Sequence, residues 1–435
     1  MVDSTVHALA TFAHQLRIAA VPSSVRRRAA YVLLDTCGAI IAGKAEPEVS
    51  ALSAAVREAG PAALLADGAA GVALELDEGS IAARGHPAMH IVPAALHAAV
   101  EAGVSGARTL EAVIAAYEVC ARIGAATQLR TGMHPHGAWG VAGAAVASGL
   151  LRRLPEHQLA EALGVAATLG LGTTYAAVRD GATARNLWTG AANLLGWAAA
   201  QAAEAGFTAP RRALEISFGE ILGTRFDTEL ALDELGSNWY LEGSYFKEYA
   251  CCRHAHAALD ALAAAADGLP RLAADAVKSV TIHTYAQAVQ ATGGAEFPQS
   301  VLAAKFSLPY VAAAALSGEG VGQEAFSRRV RTSADLRALA AKIVVVEDPQ
   351  YTAMMPDASP ARVAVCLTNG SVREAQVLQA GGDPGDPGWP GKVEAKFQRL
   401  AGQVLGTARA HSLAQTLLTL DAQRSVDAVW EALRG

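Results

Sequence analysis

The histidines of this 435-residue chain are unevenly placed: seven of the twelve fall in three short runs. His86, His90 and His97 follow one another, His134 and His136 stand in GMHPHG, and His254 and His256 in RHAH. Imidazole exchanges protons near neutral pH, so such clusters beside carboxylates and cations suit general acid-base catalysis. The first run has those partners close by. Glu75, Asp77, Glu78 and Arg84 precede His86 in a glycine-containing segment. A helix beginning near Pro87 would leave His86 just before free backbone N–H groups that favour an anion. The bland alternative is a solvated surface loop for Asp77, Glu78 and Arg84, and His90 and His97 read as residues of helical packing.

Other chemistries find weaker support. His86 and His90 have an i, i+4 spacing, but HExxH is missing, so no metal is expected. Gly137, Gly140 and Gly143 have no strand before them and are poor evidence for a dinucleotide; no organic cofactor is expected. A third polar group is cationic: Arg179, Arg185, Lys247 and Arg253, the last two beside His254 and His256. Cations in Ala-rich sequence need an anion, either an internal acid or a bound substrate. For Arg253 the internal salt bridge is the preferred reading. Five cysteines, an odd set without C-x-x-C spacing, argue against a disulfide framework and a zinc or iron-sulfur site.

The elements that must position these residues are mostly helices. Hydrophobic residues make up 52% of the chain and charged ones 17%, against about 25% in ordinary soluble domains. The longest uncharged run, Asn186 to Ala203, is rich in Ala and Gly and holds Asn186, Asn193 and Gln201, so it reads as a buried helix rather than a membrane span. No secretory signal pattern opens the chain, and a cytoplasmic location is expected. With 35 basic and 41 acidic residues the net charge is -6 and no basic block occurs, which argues against nucleic acid or an anionic membrane as partner.

Apolar spacings of three and four predict a first helix through Val6, Leu9, Phe12 and Leu16, then a second, capped by Ser23 or Ser24, running to Gly43. Further helices are predicted over 110–125, 143–151, 157–170 and 187–206. Small residues would let these helices approach closely. Near Tyr249 the pattern changes. After a helix over 256–266, alternation predicts strands over 277–285, 342–347 and 361–367, the last turning through Thr368-Asn369-Gly370-Ser371 into 373–378. GGDPGDPGWPG (381–391) reads as a loop or linker, and 392–435 returns to helical spacing.

Seven stretches carry a resemblance: LLDTCGAIIAG (33–43), ELDEGSIAARGHPAMHIVPAALHAA (75–99), AYEVCARIGAA (116–126), GMHPHGAWGVAGAA (132–145), EAGFTAP (204–210), FKEYACCRHAHAALDAL (246–262) and KFSLPYVAAAAL (305–316). In these the chain resembles the MmgE/PrpD family, whose members include dehydratases, a decarboxylase and an epimerase of small polycarboxylates. The resemblance implies a mainly α protein: an all-helical domain built from both chain ends (1–243 and 392–435) with an inserted α+β lid domain (244–391). It also implies a homodimer, and a site between the two that works without metal or organic cofactor. By resemblance, His86 matches the histidine of the family's HP motif, His134 the one after a Gly-aromatic pair, Lys247 the lysine entering the lid, and Tyr310 the tyrosine of SLPY. Two departures stand out. Glu75, Asp77, Glu78 and Gly79 replace an Asp-x-Asp-Asp-Thr run, and Arg185 replaces a lysine, keeping the charge but not the ability to act as a base.

These readings converge on a cofactor-independent lyase or isomerase that moves a proton at the carbon alpha to a carboxylate of a small polycarboxylate. His86 or His134 would be the base and Asp77 or Tyr310 would handle the second proton, while Lys247, counted with the catalytic residues, and Arg185 would hold substrate carboxylates. Glu75, Arg84, Arg185 and His254 would bind substrate. A second enzyme reading, from the altered acidic run and Trp188 in place of a family histidine, is dehydration or cyclisation of a larger, less charged molecule in secondary metabolism. A third is a non-catalytic scaffold, against which the retained His86, His134 and Lys247 argue.

Overall fold

The computed structural model describes residues 4–56, 60–294 and 296–434, and the protein is mainly α. Helices Ser23–Gly43, Ala63–Ala73, Gly106–Ala126, Gly140–Leu151 and Ala184–Glu204 contribute to the larger helical body. Its main core also takes in Val393, Phe397, Leu413 and Leu417 from the C-terminal helices Trp389–Leu405 and Thr407–Leu418. Both chain ends therefore share one core.

Small residues set the spacing of that body. A Cβ on Gly68 would lie 2.5 Å from Gly190 Cα, and one on Gly190 would lie 2.2 Å from the Leu65 carbonyl oxygen, so the helices Ala63–Ala73 and Ala184–Glu204 touch backbone to backbone. Dispersion contacts between closely packed backbones replace the large side chains that this composition lacks. The contact also brings Arg185, at the start of its helix, against the Val72 carbonyl at the end of the other.

A second core is built around a four-stranded sheet in the order Ile343–Glu347, Val277–Thr284, Ala361–Leu367, Val372–Val377. The first pair is parallel and the other two antiparallel. Alternation is visible in burial: Val277, Val280, Ile282 and Thr284 face inward. Leu74, Leu76 and Leu400 join this core from the helical side.

Some expectations need correction. Pro22, not a serine hydroxyl, precedes the helix Ser23–Gly43, and no side chain caps it. Pro87 opens only a 3-10 turn, Ala88–His90, before the helix Val92–Ala102, whose own Pro93 sits in its first turn. The run 186–203 is helical but open on one face, where Leu187 is exposed. The glycine-rich 381–391 segment is no slack linker: the Gly382 carbonyl accepts a hydrogen bond from Phe246 N–H at 2.9 Å and Asp383 pairs with Arg253.

Candidate active site

The polar groups meet where the two cores touch. Along 74–77 the side chains alternate, Leu74 and Leu76 entering the sheet-side core while Glu75 and Asp77 turn into a buried polar cluster. Glu75 holds a left-handed φ of 55°, a conformation that costs a non-glycine residue about 1–3 kcal/mol and is kept only where surroundings enforce it. What enforces it here are two cations. Glu75 pairs with Arg185 Nη1 through Oε1 and with Lys247 Nζ at 3.0 Å through Oε2.

Lys247 arrives by a short device. Gly79–Ser80 pairs antiparallel with Ser244–Tyr245, and two residues later the Lys247 ammonium lies 3.0 Å from Asp77 Oδ1 as well as from Glu75. Burial works against the charge on Lys247, but the adjacent Asp77 and Glu75 outweigh it and hold its pKa above the ordinary lysine value. The Asp77 carboxyl feels the reciprocal effect. Burial would raise it, yet His86, Lys247 and Arg185 keep it well below the usual carboxylate range. Lys396 of the C-terminal helix ties the segments together, donating to the backbone carbonyls of Leu76 (2.9 Å) and Lys247 (2.8 Å) while paired with Asp35 at 2.5 Å.

His86 pairs with Asp77. Its Nδ1 lies 2.9 Å from Asp77 Oδ2 and 2.5 Å from the Glu78 carbonyl oxygen. Both neighbours are acceptors, so Nδ1 carries a hydrogen, and in the neutral form of the ring Nε2 holds the lone pair. The ring is 12% exposed against 0% for Asp77, which makes it the open end of the pair. The turn after Pro87 is met from within: Glu78 Oε2 accepts from Ala88 N–H at 3.1 Å while Tyr117 donates to its other oxygen at 2.5 Å, and burial pushes the Glu78 carboxyl up to about 8.

The remaining histidines differ in how they are satisfied. His90 accepts from Gly137 N–H at Nε2 (3.1 Å) and donates from Nδ1 to the His86 carbonyl (2.8 Å), a complete pairing that fits its fully buried place. Burial lowers its pKa to about 4. His134 Nδ1 accepts from the backbone N–H of His136 at 3.1 Å, leaving Nε2 of the neutral ring with the hydrogen. Burial, reinforced by the Arg185 charge, keeps His134 and His136 well below the usual histidine value. His136 has no partner at either ring nitrogen, and Arg185 Nε is likewise buried and unpartnered. Each unsatisfied buried polar group costs about 1–3 kcal/mol, so the cluster holds a set of groups waiting for a ligand atom.

Of the residues singled out from sequence, Glu75, Asp77, His86, His134, Arg185 and Lys247 are gathered in this cluster. Arg84 and Tyr310 are not. Arg84 is exposed and donates to the carbonyls of Ala125 and Thr127 at the end of a helix. Tyr310 donates to the Ala325 carbonyl (2.5 Å) inside the sheet-side core, against Phe297 and Phe326. Physically, a guanidinium caps helix-end carbonyls and a buried phenol satisfies its hydroxyl locally, so neither substrate binding by Arg84 nor proton transfer by Tyr310 has support in this geometry. His254 bonds the Tyr285 hydroxyl at 2.7 Å, and burial, with help from Arg253 and Lys247, lowers its pKa to about 4. The arginines and lysine also turn out to be neutralised from within: Arg185 and Lys247 already hold Glu75 and Asp77. Sequence reading placed His136 among the clustered histidines without giving it a role and missed Tyr245, Asp35 and Lys396; an acid inside the apolar stretch around Asp35 was a signal, whereas the two-residue pairing at Ser244–Tyr245 left none.

Asp77, His86 and His136 each bring one potential metal-ligand atom within 4.8 Å of the others. A divalent cation there would face Lys247, already on Asp77, and the nearby Arg185 charge, an arrangement that disfavours it electrostatically.

Tyr245 explains the glycine at 79. A Cβ there would lie 2.3 Å from the Tyr245 Cζ and hydroxyl, so the tyrosine ring fills the space a side chain at 79 would need. Gly79→Thr is therefore expected to lose about 1–3 kcal/mol of stability by overpacking, and the cost should shrink when Tyr245→Ala is added. Urea denaturation of both single variants and the double variant measures this coupling. Strictly additive losses would contradict the steric account.

Comparison with known proteins places these residues in a wider setting. Residues 59–224 match the MmgE/PrpD N-terminal domain and 249–422 the MmgE/PrpD C-terminal domain. Cis-aconitate decarboxylase of Aspergillus terreus is 26% identical over 95% of this chain and 92% of its own length. A cis-aconitate decarboxylase-like protein of Aspergillus oryzae is 25% identical over 98% of this chain and 96% of its own.

Proposed function

The chain belongs to the MmgE/PrpD family, and from that premise we propose that it is a cofactor-independent lyase or isomerase moving a proton at the carbon alpha to a carboxylate of a small polycarboxylate. The observation that carries the reading is the Asp77–His86 pair, whose Nδ1 is engaged by acceptors so that Nε2 offers a base at the least buried point of the cluster. The names of the two relatives favour a substrate of the cis-aconitate type.

In this scheme His86 Nε2 takes the proton alpha to a carboxylate in the elimination or epimerisation direction. In the decarboxylation direction His86 starts as the imidazolium: as the C–C bond to the departing CO2 breaks, its electron pair is captured by the Nε2 proton, and the neutral ring left behind is reprotonated from solvent. Asp77 fixes the tautomer of His86 and steadies its protonated form, as a carboxylate does behind any catalytic imidazole. Lys247 keeps Asp77 ionised and placed. Arg185, through its unpartnered Nε, holds a substrate carboxylate while its Nη1 stays on Glu75. His134 serves as an Nε2–H donor, which leaves the base role to His86. We place residues 244–391 as the lid over this cluster, and the working unit as a homodimer.

The test is turnover. The protein incubated with cis-aconitate, citrate and methylcitrate, followed by proton NMR and CO2 release, should convert at least one of them. Absence of both conversion and alpha-proton exchange across this panel would overturn the reading. Among the described residues no helix is long and apolar enough to cross a membrane.

A further inference from the structure

We propose that His136 is a catalytic residue of this site: with His134 it donates N–H hydrogen bonds to the oxygens of the substrate carboxylate as the adjacent carbon gives up its proton. The inference rests on the function proposed above and gives a role to a group that the acid–base scheme left without one.

His136 is 1% exposed and unpartnered at both ring nitrogens. A neutral imidazole has one N–H and one lone pair, so both of its polar functions are idle in a buried setting. Its neighbour His90, equally buried, spends both nitrogens on the backbone. The orphaned ring stands edge-on to His134 at 4.5 Å, to His86 at 5.1 Å and to His90 at 5.5 Å between centroids. One of its nitrogens comes within 4.8 Å of a carboxylate oxygen of Asp77 and a ring nitrogen of His86, so the idle group belongs to the same cluster as the proposed base.

The loop carrying it is rigidly held. Thr173 donates from its hydroxyl to the carbonyls of both His134 (2.7 Å) and His136 (2.9 Å), and the backbone N–H of His136 fixes the tautomer of His134. The backbone that carries both rings is therefore held before any substrate binds. When His86 Nε2 takes the alpha proton, the C–H electron pair forms a double bond to the carboxylate carbon and the two carboxylate oxygens together gain one negative charge. Donors already aimed at that charge stabilise the transition state more than the ground state.

His136→Leu and His136→Gln test this with cis-aconitate as probe. Leucine removes two idle polar groups from a buried site, so the melting temperature is expected to stay level or rise by a few degrees while kcat falls by about 10²–10³ with KM within a few-fold. Glutamine, which keeps an N–H donor, should recover at least tenfold of that loss. A structural histidine would behave oppositely, with a lowered melting temperature in the leucine variant. Turnover by His136→Leu within threefold of an active wild type would overturn the inference alone, whereas an inactive wild type would take the proposed function with it. A Zn2+-dependent stabilisation of wild type that disappears in His136→Leu would also overturn it, in favour of a metal site.

Discussion

Asp77→Asn is expected to lower kcat by about three to four orders of magnitude while leaving the protein folded, the size of effect seen when the carboxylate behind a catalytic imidazole becomes an amide. The carboxylate 2.9 Å from His86 Nδ1 accepts only and favours a hydrogen on that nitrogen, whose hydrogen bond itself goes to the Glu78 carbonyl. An amide in its place can present N–H to the same atom, favouring the tautomer with the hydrogen on Nε2 and cancelling the base. The Glu78 carbonyl, also bonded to Nδ1, opposes this switch and leaves a residual rate. Steady-state turnover and circular dichroism on the same preparation separate lost chemistry from lost folding. A fall of less than tenfold would mean that Asp77 is only structural.

Lys247→Met is expected to be the most destabilising single change in the cluster. Lys247 bridges Glu75 and Asp77 with all three side chains essentially buried, and removal of one partner from a buried ion pair costs about 3–5 kcal/mol because it strands charge away from water. The pH dependence carries a definite sign. A carboxyl held below its unfolded value gives stability that is present above that value and lost as pH falls toward the folded one. Asp77 is such a group, and without Lys247 its folded pKa moves up, so acid unfolding of the variant should begin at higher pH than in wild type. Adding Glu75→Gln, which removes the excess negative charge left in the cluster although Glu75 itself still faces Arg185, should return part of the loss. Denaturation curves from pH 7 to pH 3 for the three proteins measure both effects; identical acid midpoints would contradict the ionic account of this cluster.

Helical spacing made much of the fold legible, because amphipathic periodicity survives in Ala-rich sequence: the long helices and the four strands lie close to where it put them. The hairpin at Asn369-Gly370 was readable for a local reason, a glycine at φ 88° that the turn requires. The proposed base was partly legible too, since His86 sits eleven residues after Glu75 and within reach of Asp77 by chain proximity alone. What could not be read was the pairing of distant charges. Arg185 and Lys247 looked like free substrate clamps, yet Glu75 neutralises both across more than a hundred residues of sequence. The same blindness hid Lys396, which reaches the site only because the C-terminal helix packs beside the helix Ser23–Gly43 that carries Asp35. His136 was passed over beside His134 because nothing in a one-dimensional motif distinguishes a ring with partners from one without.

The central claim is that His86, not His134, moves the proton, and alpha-proton exchange in D2O with cis-aconitate or citrate, followed by proton NMR, tests it most directly. The account predicts that His86→Gln lowers the exchange rate by about 10³ or more, while His134→Gln, which keeps an N–H donor, stays within about thirtyfold of wild type. Exchange that survives in His86→Gln and vanishes in His134→Gln would contradict it.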